Sequence, residues 1–455
     1  MTTARIVIVG GGFAGVECAR YLERRLRPGE ASIRLVGSVG AGQLYVPLLP
    51  QVASGVLPSQ AVAVSLRRVL HRTELMPGTV VGADAARGQC VVRRPSGAEY
   101  VLGYDHLVLA SGSITRILDI PGLPEHGFGM KTLAEAVYLR DHVLRQLDMA
   151  AIADDPVEQR ERLTFVTVGS GYAGTETAAV LAKLTQAAAR QYFPRLDPSL
   201  VRWYLINRSE RVMPELGERL GADAKKLMAQ RGIEFISGAS ATEVTARSLT
   251  LTTGQVIPTR TVVWTAGVTS SPLADHLGAE TDHGRIITDT ELRVPSLHNV
   301  WACGDVAAVP DTTQPGKTCA PTAQHASRQG RAAGVNLLAT LRGKPRKPYR
   351  HRDLGMVVDL GGWDALARPM GIGLRGAPAQ LVTRGYHLLA TRTFAARSRI
   401  ALNWALHSVA GDDFVRLGIS DGAPHTIGDF ERTGDYLSAE QLAQVLGDPR
   451  CGLAR

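Results

Sequence analysis

The chain has 455 residues, 45% of them hydrophobic and 20% charged, with a formal net charge of +9. That length is more than one core serves, so an ordinary globular protein of two or three domains is expected. No apolar run approaches the roughly 18 residues of a transmembrane helix, and Cys18, Cys90, Cys303, Cys319 and Cys451 form no CxxC pair that would suggest a zinc knuckle or a redox-active dithiol.

Arg5-Ile-Val-Ile-Val-Gly10 reads as a buried strand leading into Gly10-Gly-Gly12-Phe13-Ala14-Gly15 and a helix carrying Cys18 to Leu26. This fingerprint takes up the N-terminal apolar stretch, which argues against a secretory signal. Ser32 to Val36 is the next strand, completing a βαβ opening. Residues 43–55 are expected to be irregular and Val62 to Leu70 helical. Short strands follow around Thr79–Val81 and Cys90–Val92, and Tyr104 to Ala110 is a buried strand ending in Ser111-Gly112. Thr132-Leu-Ala-Glu135 has capping-box spacing and should start a helix to about Leu147. The charged, proline-interrupted stretch from Asp154 to Arg162 reads as a linker.

The same order then repeats. Leu163 to Gly169 leads into Gly169-Ser-Gly171-Tyr172-Ala173-Gly174 and a helix carrying Glu176 to Leu184. Arg202 to Ile206 is the next strand, a helix ends at Met228–Gly232, and strands are expected at Glu234–Ile236 and Ser248–Leu251. Thr261 to Gly267, through Ala266, mirrors Leu107 to Gly112. Asn299 to Asp305 is a buried strand ending in Gly304-Asp305, and it would return the chain to the first domain. Pro321 is expected to open a helix to about Arg342, being a suitable first residue. The fold class is therefore α/β, with two Rossmann-like dinucleotide-binding domains and a C-terminal α/β or helical unit. The expected boundaries are 1–125 and 291–344 for the first, discontinuous domain, 126–290 for the inserted second, and 345–455 for the C-terminal domain.

The glycines have a steric reason. The first makes the turn, the second lets the backbone approach a pyrophosphate, and the third lets helix pack on strand. The phosphates then sit on unpaired N–H groups at the positive end of a helix. Two such turns in strand–helix context imply two dinucleotides, and electron transfer between them. The bland alternative is a pair of tight turns without ligands.

Charge is uneven. Arg342 to Arg352 holds six cations and no acid, Gly376 to Ala410 four arginines and no acid, and the chain after Gly411 eight acids against four arginines. The low aromatic content, 5%, argues against nucleic acid. In Ala379–Val409, Val382, Tyr386, Leu389, Thr393, Ala396, Ile400 and Trp404 recur at three or four residues among positive charges. That is the signature of helices lying on a membrane surface, or of a helix packed on the protein body or on a second subunit. Ser438-Ala-Glu-Gln441 should start a short helix in the acidic tail. The histidines lack metal-ligand spacing, so no metal site is expected.

Several further segments carry a family resemblance: Tyr104 to Gly112, Thr261 to Gly267, Cys303-Gly-Asp305, Pro47 to Gly55, Lys131-Thr-Leu133, Ala320 to Gly330 and Arg352-Asp-Leu-Gly355. With both fingerprints they make the chain similar, over about residues 4–410, to the two-dinucleotide-binding flavoproteins and, among them, to the type II NADH dehydrogenases. The resemblance implies FAD in the first domain and NAD(P)H in the second, with hydride passing to the flavin and then to a quinone. Gly10, Gly12 and Gly15, flanked by Phe13 and Ala14, would cradle the FAD pyrophosphate. Val80 would lie by the adenine, Ala110, Ser111 and Gly112 beside the cofactor, and Gly304 and Asp305 at the ribityl chain. Thr322, Ala323 and Gln324 would begin a helix beneath the flavin ring, where its positive end would stabilise a reduced flavin. Gly169, Gly171, Tyr172, Ala173, Gly174, Ala266 and Gly267 would hold the nicotinamide nucleotide. Glu176 would bind quinone or deliver a proton; read alone, it is equally an ordinary first-turn acid. Lys131, read apart from its segment, is compatible with a mere hinge residue before the capping box.

Two strand ends depart from the pattern. The position that usually offers an acid to ribose hydroxyls is Gly37 in the first domain, followed by Ser38, with no acid until Glu74. In the second it is Asn207, followed by Arg208, which removes repulsion of a 2′-phosphate and offers a partner for it. Arg328 stands where the family more often has glutamine. These departures keep two alternatives open: a cytosolic flavoenzyme acting on a soluble aromatic or quinone-like metabolite, and a nucleotide-binding protein that has lost its flavin. The expected location is cytoplasmic or peripheral on the inner face of the cell membrane, with a homodimer as one use of residues 379–410.

Overall fold

The structure, a computed structural model, describes residues 3–37, 42–351, 353–422, 425–430 and 436–448, the side chains of residues 275 and 276 excepted. Ser38, Arg352 and Cys451 lie outside the described residues. In chain order, β1 (Ala4–Val9), α1 (Phe13–Arg25), β2 (Ala31–Gly37), β3 (Thr73–Pro77) and β4 (His106–Leu109) come first. They are followed by β5 (Gly127–Phe128), α2 (Leu133–Ala151), β6 (Thr164–Val168), α3 (Tyr172–Tyr192), β7 (Arg202–Asn207), α4 (Glu218–Gln230), β8 (Ile233–Ser237) and β9 (Thr261–Trp264). The chain closes with β10 (Val300–Ala302), α5 (Ala323–Leu341), β11 (Val357–Asp359), α6 (Ala377–Ala390), α7 (Phe394–Ala410) and α8 (Ala439–Gly447).

Two five-stranded parallel sheets dominate, ordered β10-β4-β1-β2-β3 and β5-β9-β6-β7-β8. The central strand β6 is buried throughout and β1 from Ile6 to Val9, as expected where helices cover both faces. The duplication reaches single hydrogen bonds. Gly10 N–H donates to Val36 O and Gly169 N–H to Ile206 O, both at 2.8 Å, while Ala110 N–H donates to Val9 O at 2.8 Å and Thr265 N–H to Val168 O at 2.9 Å. Beyond the strand ends, Ser113–Thr115 pairs antiparallel with Val268–Ser270 and ties the two sheets' loops together. On the first sheet α1 packs directly on α5. A Cβ at Gly330 would stand 2.0 Å from Ala14 O, so only glycine allows that crossing.

Several local expectations are corrected. Residues 62–70 are not helical: Ala63–Ser65 is a strand paired with Gly42–Leu44, between short 3-10 turns, as β-branched Val62 and Val64 favour. Within the supposedly irregular 43–55 stretch, Leu49–Ala53 is a short helix with a proline in its first turn. The expected linker at 154–162 is largely the helix Pro156–Leu163, because Asp155 caps it and Pro156 suits its first position. The capping box at Thr132 and Glu135 is formed, and α2 runs to Ala151. Pro321 lies just before the N-cap of α5, which is Thr322, so the helix opens at Ala323.

After α5, β11 joins Ala365–Ala367 and Leu374–Arg375 in a small antiparallel sheet. In the α6–α7 pair the expected stripe divides. Ala396, Ile400 and Trp404 are buried against the protein body, whereas Leu389, with Leu381, Phe394, Leu402, Leu406 and Val409, is exposed. The acidic tail packs back on the protein body: Asp141 of α2 accepts the backbone N–H groups of Leu417 and Ser420, and Leu437 N–H donates to Val81 O in the antiparallel strand Thr79–Asp84. Among the described residues no helix is long and apolar enough to cross a membrane. Cys18, Cys90, Cys303 and Cys319 are free and buried, and burial pushes the Cys90 and Cys303 thiols up to about 12.

Candidate active site

The glycines of each fingerprint separate into two kinds. Gly10 and Gly169 have φ near +110°, and a Cβ there would collide with the neighbouring strand's exit, 2.2 Å from Ala110 O and 2.7 Å from Thr265 Oγ1. Gly15 and Gly174 would place a Cβ at 2.0 and 1.9 Å from the carbonyl oxygens of Gly10 and Gly169. Those four are demanded by the fold. Gly12 and Gly171 are not: each has negative φ, and a Cβ would meet no protein atom within 4 Å. They are also the N-caps of α1 and α3, and neither helix has a side-chain cap or an acid in its first turn. By contrast α2, in the same protein, carries a full capping box. Two uncapped helix starts beside open glycine backbone could each hold a pyrophosphate. Phe13 packs edge-on to Tyr45, Ala14 is buried against α5, Ala173 is exposed, and the Tyr172 hydroxyl meets Met356 Sδ.

At the mouth of the first sheet Gly304 has φ +79°, and its N–H donates to the buried Gln329 Oε1 at 2.8 Å. The next residue, Asp305, accepts the hydroxyl of Ser113 at 2.8 Å, and that hydroxyl accepts Lys131 Nζ at 2.8 Å. Lys131 is therefore part of this site and not merely a hinge; burial lowers its ammonium pKa, while Asp305 and Glu135 oppose the shift. Gly112 has φ +76° and open space on its Cβ side, Ala110 and Val80 are buried, and Ser111 Oγ is a buried polar atom without a partner among the described residues. Gly37 abuts Gly11, and the next acid, Glu74, is paired with Arg34 at 2.8 Å. Among the described residues, the end of β2 carries no carboxylate at the position that usually meets a ribose.

The start of α5 faces the same opening. Thr322 caps it by accepting His325 N–H at 3.3 Å, Ala323 is its first residue, and Gln324 Nε2 donates to Gly355 O at 2.7 Å. Gln324 Oε1 is buried without a partner among the described residues. A cavity of about 330 Å³ lies here, lined by Phe13, Tyr45, Ala323, Gln324, Tyr386 and Leu389, and by Glu17, Arg20, Arg328, Arg392 and Arg397. Arg392 reaches both Glu17 and Gln43, and Arg328 meets the ring of His351 at 3.2 Å. His325 stacks on His351 with ring centres 3.8 Å apart.

Glu176 lies in the second turn of α3, not the first, so it is no helix-end acid. Its Oε1 accepts the backbone N–H of Asp359 at 2.8 Å. Desolvation, reinforced by the nearby Asp359 carboxylate, pushes its carboxyl well above the ordinary range. Asp359 Oδ2 accepts Gln51 Nε2 at 2.6 Å and Gln380 Nε2 at 3.3 Å, and Gln51 Oε1 accepts the Trp404 indole at 2.7 Å. Gln51, Asp359, Gln380 and Gln329 were not apparent as site residues in the sequence. Gln51, inside the Pro47–Gly55 segment, and Gln329, inside the Ala320–Gly330 segment, alone of the four carried a signal.

In the second sheet Gly267 has φ +115°, and its carbonyl accepts Arg116 N–H at 3.2 Å, so the turn through Ala266 is held from the first unit. Asn207 is the last residue of β7, half-buried, and Arg208 beyond it is exposed.

The sequence matches the family model described as pyridine nucleotide-disulphide oxidoreductase over residues 4–330. It is 30% identical to the type II NADH:quinone oxidoreductase Ndh of Mycobacterium tuberculosis, over 88% of this chain and 87% of that protein. It is 28% identical to the demethylphylloquinone reductase NdbB of Synechocystis, over 89% and 96% respectively. The fold superposes on NDH2 from Plasmodium falciparum, solved in complex with NADH, with a TM-score of 0.82 at 15% identity, over 91% of this chain and all of that one. The sulfide:quinone oxidoreductase of Aquifex aeolicus shares the fold with a TM-score of 0.67 at 17% identity, over 90% and 95%.

Proposed function

The chain belongs to the pyridine nucleotide-disulphide oxidoreductase family and, within it, to the type II NADH dehydrogenase-like members, and from that premise we infer that it is a FAD-dependent NAD(P)H:quinone oxidoreductase. The observation that carries the reading is the pair of uncapped helix starts at Gly12 and Gly171, whose glycines the fold itself does not require. Bound FAD supplies the two-electron chemistry that joins the nicotinamide to the quinone.

The residues of the chain do the rest. Segments 1–125 and 291–344 hold FAD on the first sheet, 126–290 holds NAD(P)H on the second, and 345–455 covers the acceptor side. Gly10, Gly12 and Gly15 present the α1 start to one pyrophosphate, and Gly169, Gly171 and Gly174 present the α3 start to the other. Asp305, fixed by Ser113 and Lys131, accepts polyol hydroxyls. The start of α5 at Thr322, Ala323 and Gln324 offers positive potential and a free amide oxygen. Glu176, whose carboxyl burial pushes well above the ordinary range, offers a proton-holding group next to the acceptor side. The cavity between Phe13, Tyr386 and Leu389 admits the quinone.

A second reading rests on the charge of that cavity, where four arginines face one glutamate. It favours a quinone-like acceptor bearing an acidic group over a wholly apolar one. For the apolar acceptor, the exposed face of Phe394, Leu402, Leu406 and Val409, with Arg397 and Arg399 on the same helix, suits a bilayer surface. Purified protein should show a bound-flavin spectrum that bleaches anaerobically with NADH or NADPH and returns on adding menaquinone. No flavin, and no uptake of added FAD, would sink the oxidoreductase reading. Reoxidation by acidic soluble quinones alone would select the second reading, and cosedimentation with anionic vesicles would support the first.

A further inference from the structure

We propose that the second dinucleotide site is built for the 2′-phosphate of NADPH, with Arg208 and Arg211 as its partners; this rests on reading the β6–α3 turn as the nicotinamide-nucleotide site. The strand after a glycine turn ends where the adenosine ribose lies. A carboxylate there grips the ribose hydroxyls and repels a 2′-phosphate, while a neutral residue followed by arginine does the reverse.

Here β7 ends on Asn207, in register with Ser237 at the end of β8. The loop that follows is tied to the glycine turn itself. Ser170 Oγ donates to Arg211 O at 3.3 Å, and Met213 N–H donates to Ser170 O at 3.0 Å. Both arginines are thus carried on backbone held beside the turn that faces the pyrophosphate. Of the two carboxylates between β7 and α4, Glu210, which lies between the two arginines, is diverted: it accepts the hydroxyl of Ser237 at 2.7 Å, at the end of β8. Arg208 is exposed and makes no ion pair or side-chain hydrogen bond among the described residues. Arg211 reaches Glu218 only at 3.6 Å, with the two side chains 58% and 87% exposed. Such a pair is weak in water, and a phosphate dianion is the stronger partner. A neutral strand end, a carboxylate turned to the next strand and two available guanidiniums form one consistent anion site.

Calorimetric titration of the flavin-loaded protein with NADP⁺, NAD⁺, 2′,5′-ADP and ADP tests this without turnover. NADP⁺ should bind about tenfold or more tightly than NAD⁺, and 2′,5′-ADP should displace it where ADP does not. Arg208→Ala should remove about a factor of ten from NADP⁺ binding and leave NAD⁺ unchanged, while Asn207→Glu should reverse the preference. Equal affinities for the two dinucleotides, or an equal loss of both in Arg208→Ala, would overturn the 2′-phosphate site while leaving the oxidoreductase reading intact. Binding of neither dinucleotide would remove the nicotinamide site itself, and the proposal with it.

Discussion

Asp359 donates its backbone N–H to Glu176 Oε1 at 2.8 Å, so β11 of the C-terminal unit holds the single carboxylate of α3. This contact keeps the acid facing inward, where desolvation favours its neutral form. Because the folded pKa is raised above the ordinary 4.5, the folded state binds more protons than the unfolded chain above that pH. Stability from this group is therefore full below 4.5 and is lost as pH rises through the folded pKa. Glu176→Gln keeps an oxygen for the Asp359 N–H and removes the titration. The variant should match the parent below pH 4.5 and exceed it in urea midpoint as pH rises above that value. In stopped-flow half-reactions it should leave reduction by NAD(P)H intact and slow reoxidation by quinone. Slowing confined to the reductive half would remove Glu176 from the acceptor side.

Gln51 couples α7 to that same strand, accepting from Trp404 and donating to Asp359. All three side chains are buried, and a buried polar group left without its partner costs about 1–3 kcal/mol. Gln51→Leu strands the Trp404 indole and leaves Asp359 Oδ2 with Gln380 alone, whereas Trp404→Phe removes a donor and retains most of the ring packing. A double-mutant cycle in urea should give a coupling of about 1–2 kcal/mol between the two positions. Additive losses would show that the chain of hydrogen bonds carries no energy of its own.

The two nucleotide units were legible because their signals are local. An apolar run, glycines at fixed offsets and a helical stretch lie side by side in the chain, and steric need ties each glycine to its turn. The partners of Lys131 are not legible locally, because Ser113 lies 18 residues away and Asp305 farther still. For Gln329 the Ala320–Gly330 segment marks the place but not the role, because its burial against Gly304 depends on the α1–α5 crossing. Residues 62–70 misled because an apolar run of that length is compatible with either period, and pairing with Gly42–Leu44 decided for strand. In α7, periodicity announced one apolar face; Phe394, Leu402, Leu406 and Val409 form a second that tertiary packing leaves outside.

Acid should weaken the protein through its histidines. Burial holds His142 at about 3 and His325 and His387 at about 4, all depressed from 6.5. A histidine kept neutral by the fold contributes stability that is present above its unfolded value and lost as pH falls toward its folded one. His142 also hydrogen-bonds Thr261 Oγ1 at 2.9 Å, joining α2 to β9. The urea midpoint should drop between pH 6.5 and 4, with a slope approaching three protons, and His142→Gln should make it shallower. A flat profile across that window would show that these rings protonate without opening the fold.

The sharpest test of the two cradles sets glycine against glycine. At Gly15 an added Cβ stands 2.0 Å from Gly10 O, and at Gly174 1.9 Å from Gly169 O, so alanine there must displace the helix from its strand. At Gly12 and Gly171 it meets nothing, and φ values of −80° and −72° suit any residue. Gly12→Ala and Gly171→Ala should therefore fold with a change in apoprotein stability within about 1 kcal/mol, whereas Gly15→Ala and Gly174→Ala should accumulate poorly. The first pair should then divide by ligand. Gly12→Ala should lose FAD, seen in the visible spectrum of the purified protein, because its methyl group fills the approach to the α1 start. Gly171→Ala should keep its flavin and bind the nicotinamide nucleotide weakly. Full retention of FAD by Gly12→Ala would mean that the open glycine is not where the pyrophosphate lies, and the assignment of the first sheet would fall with it.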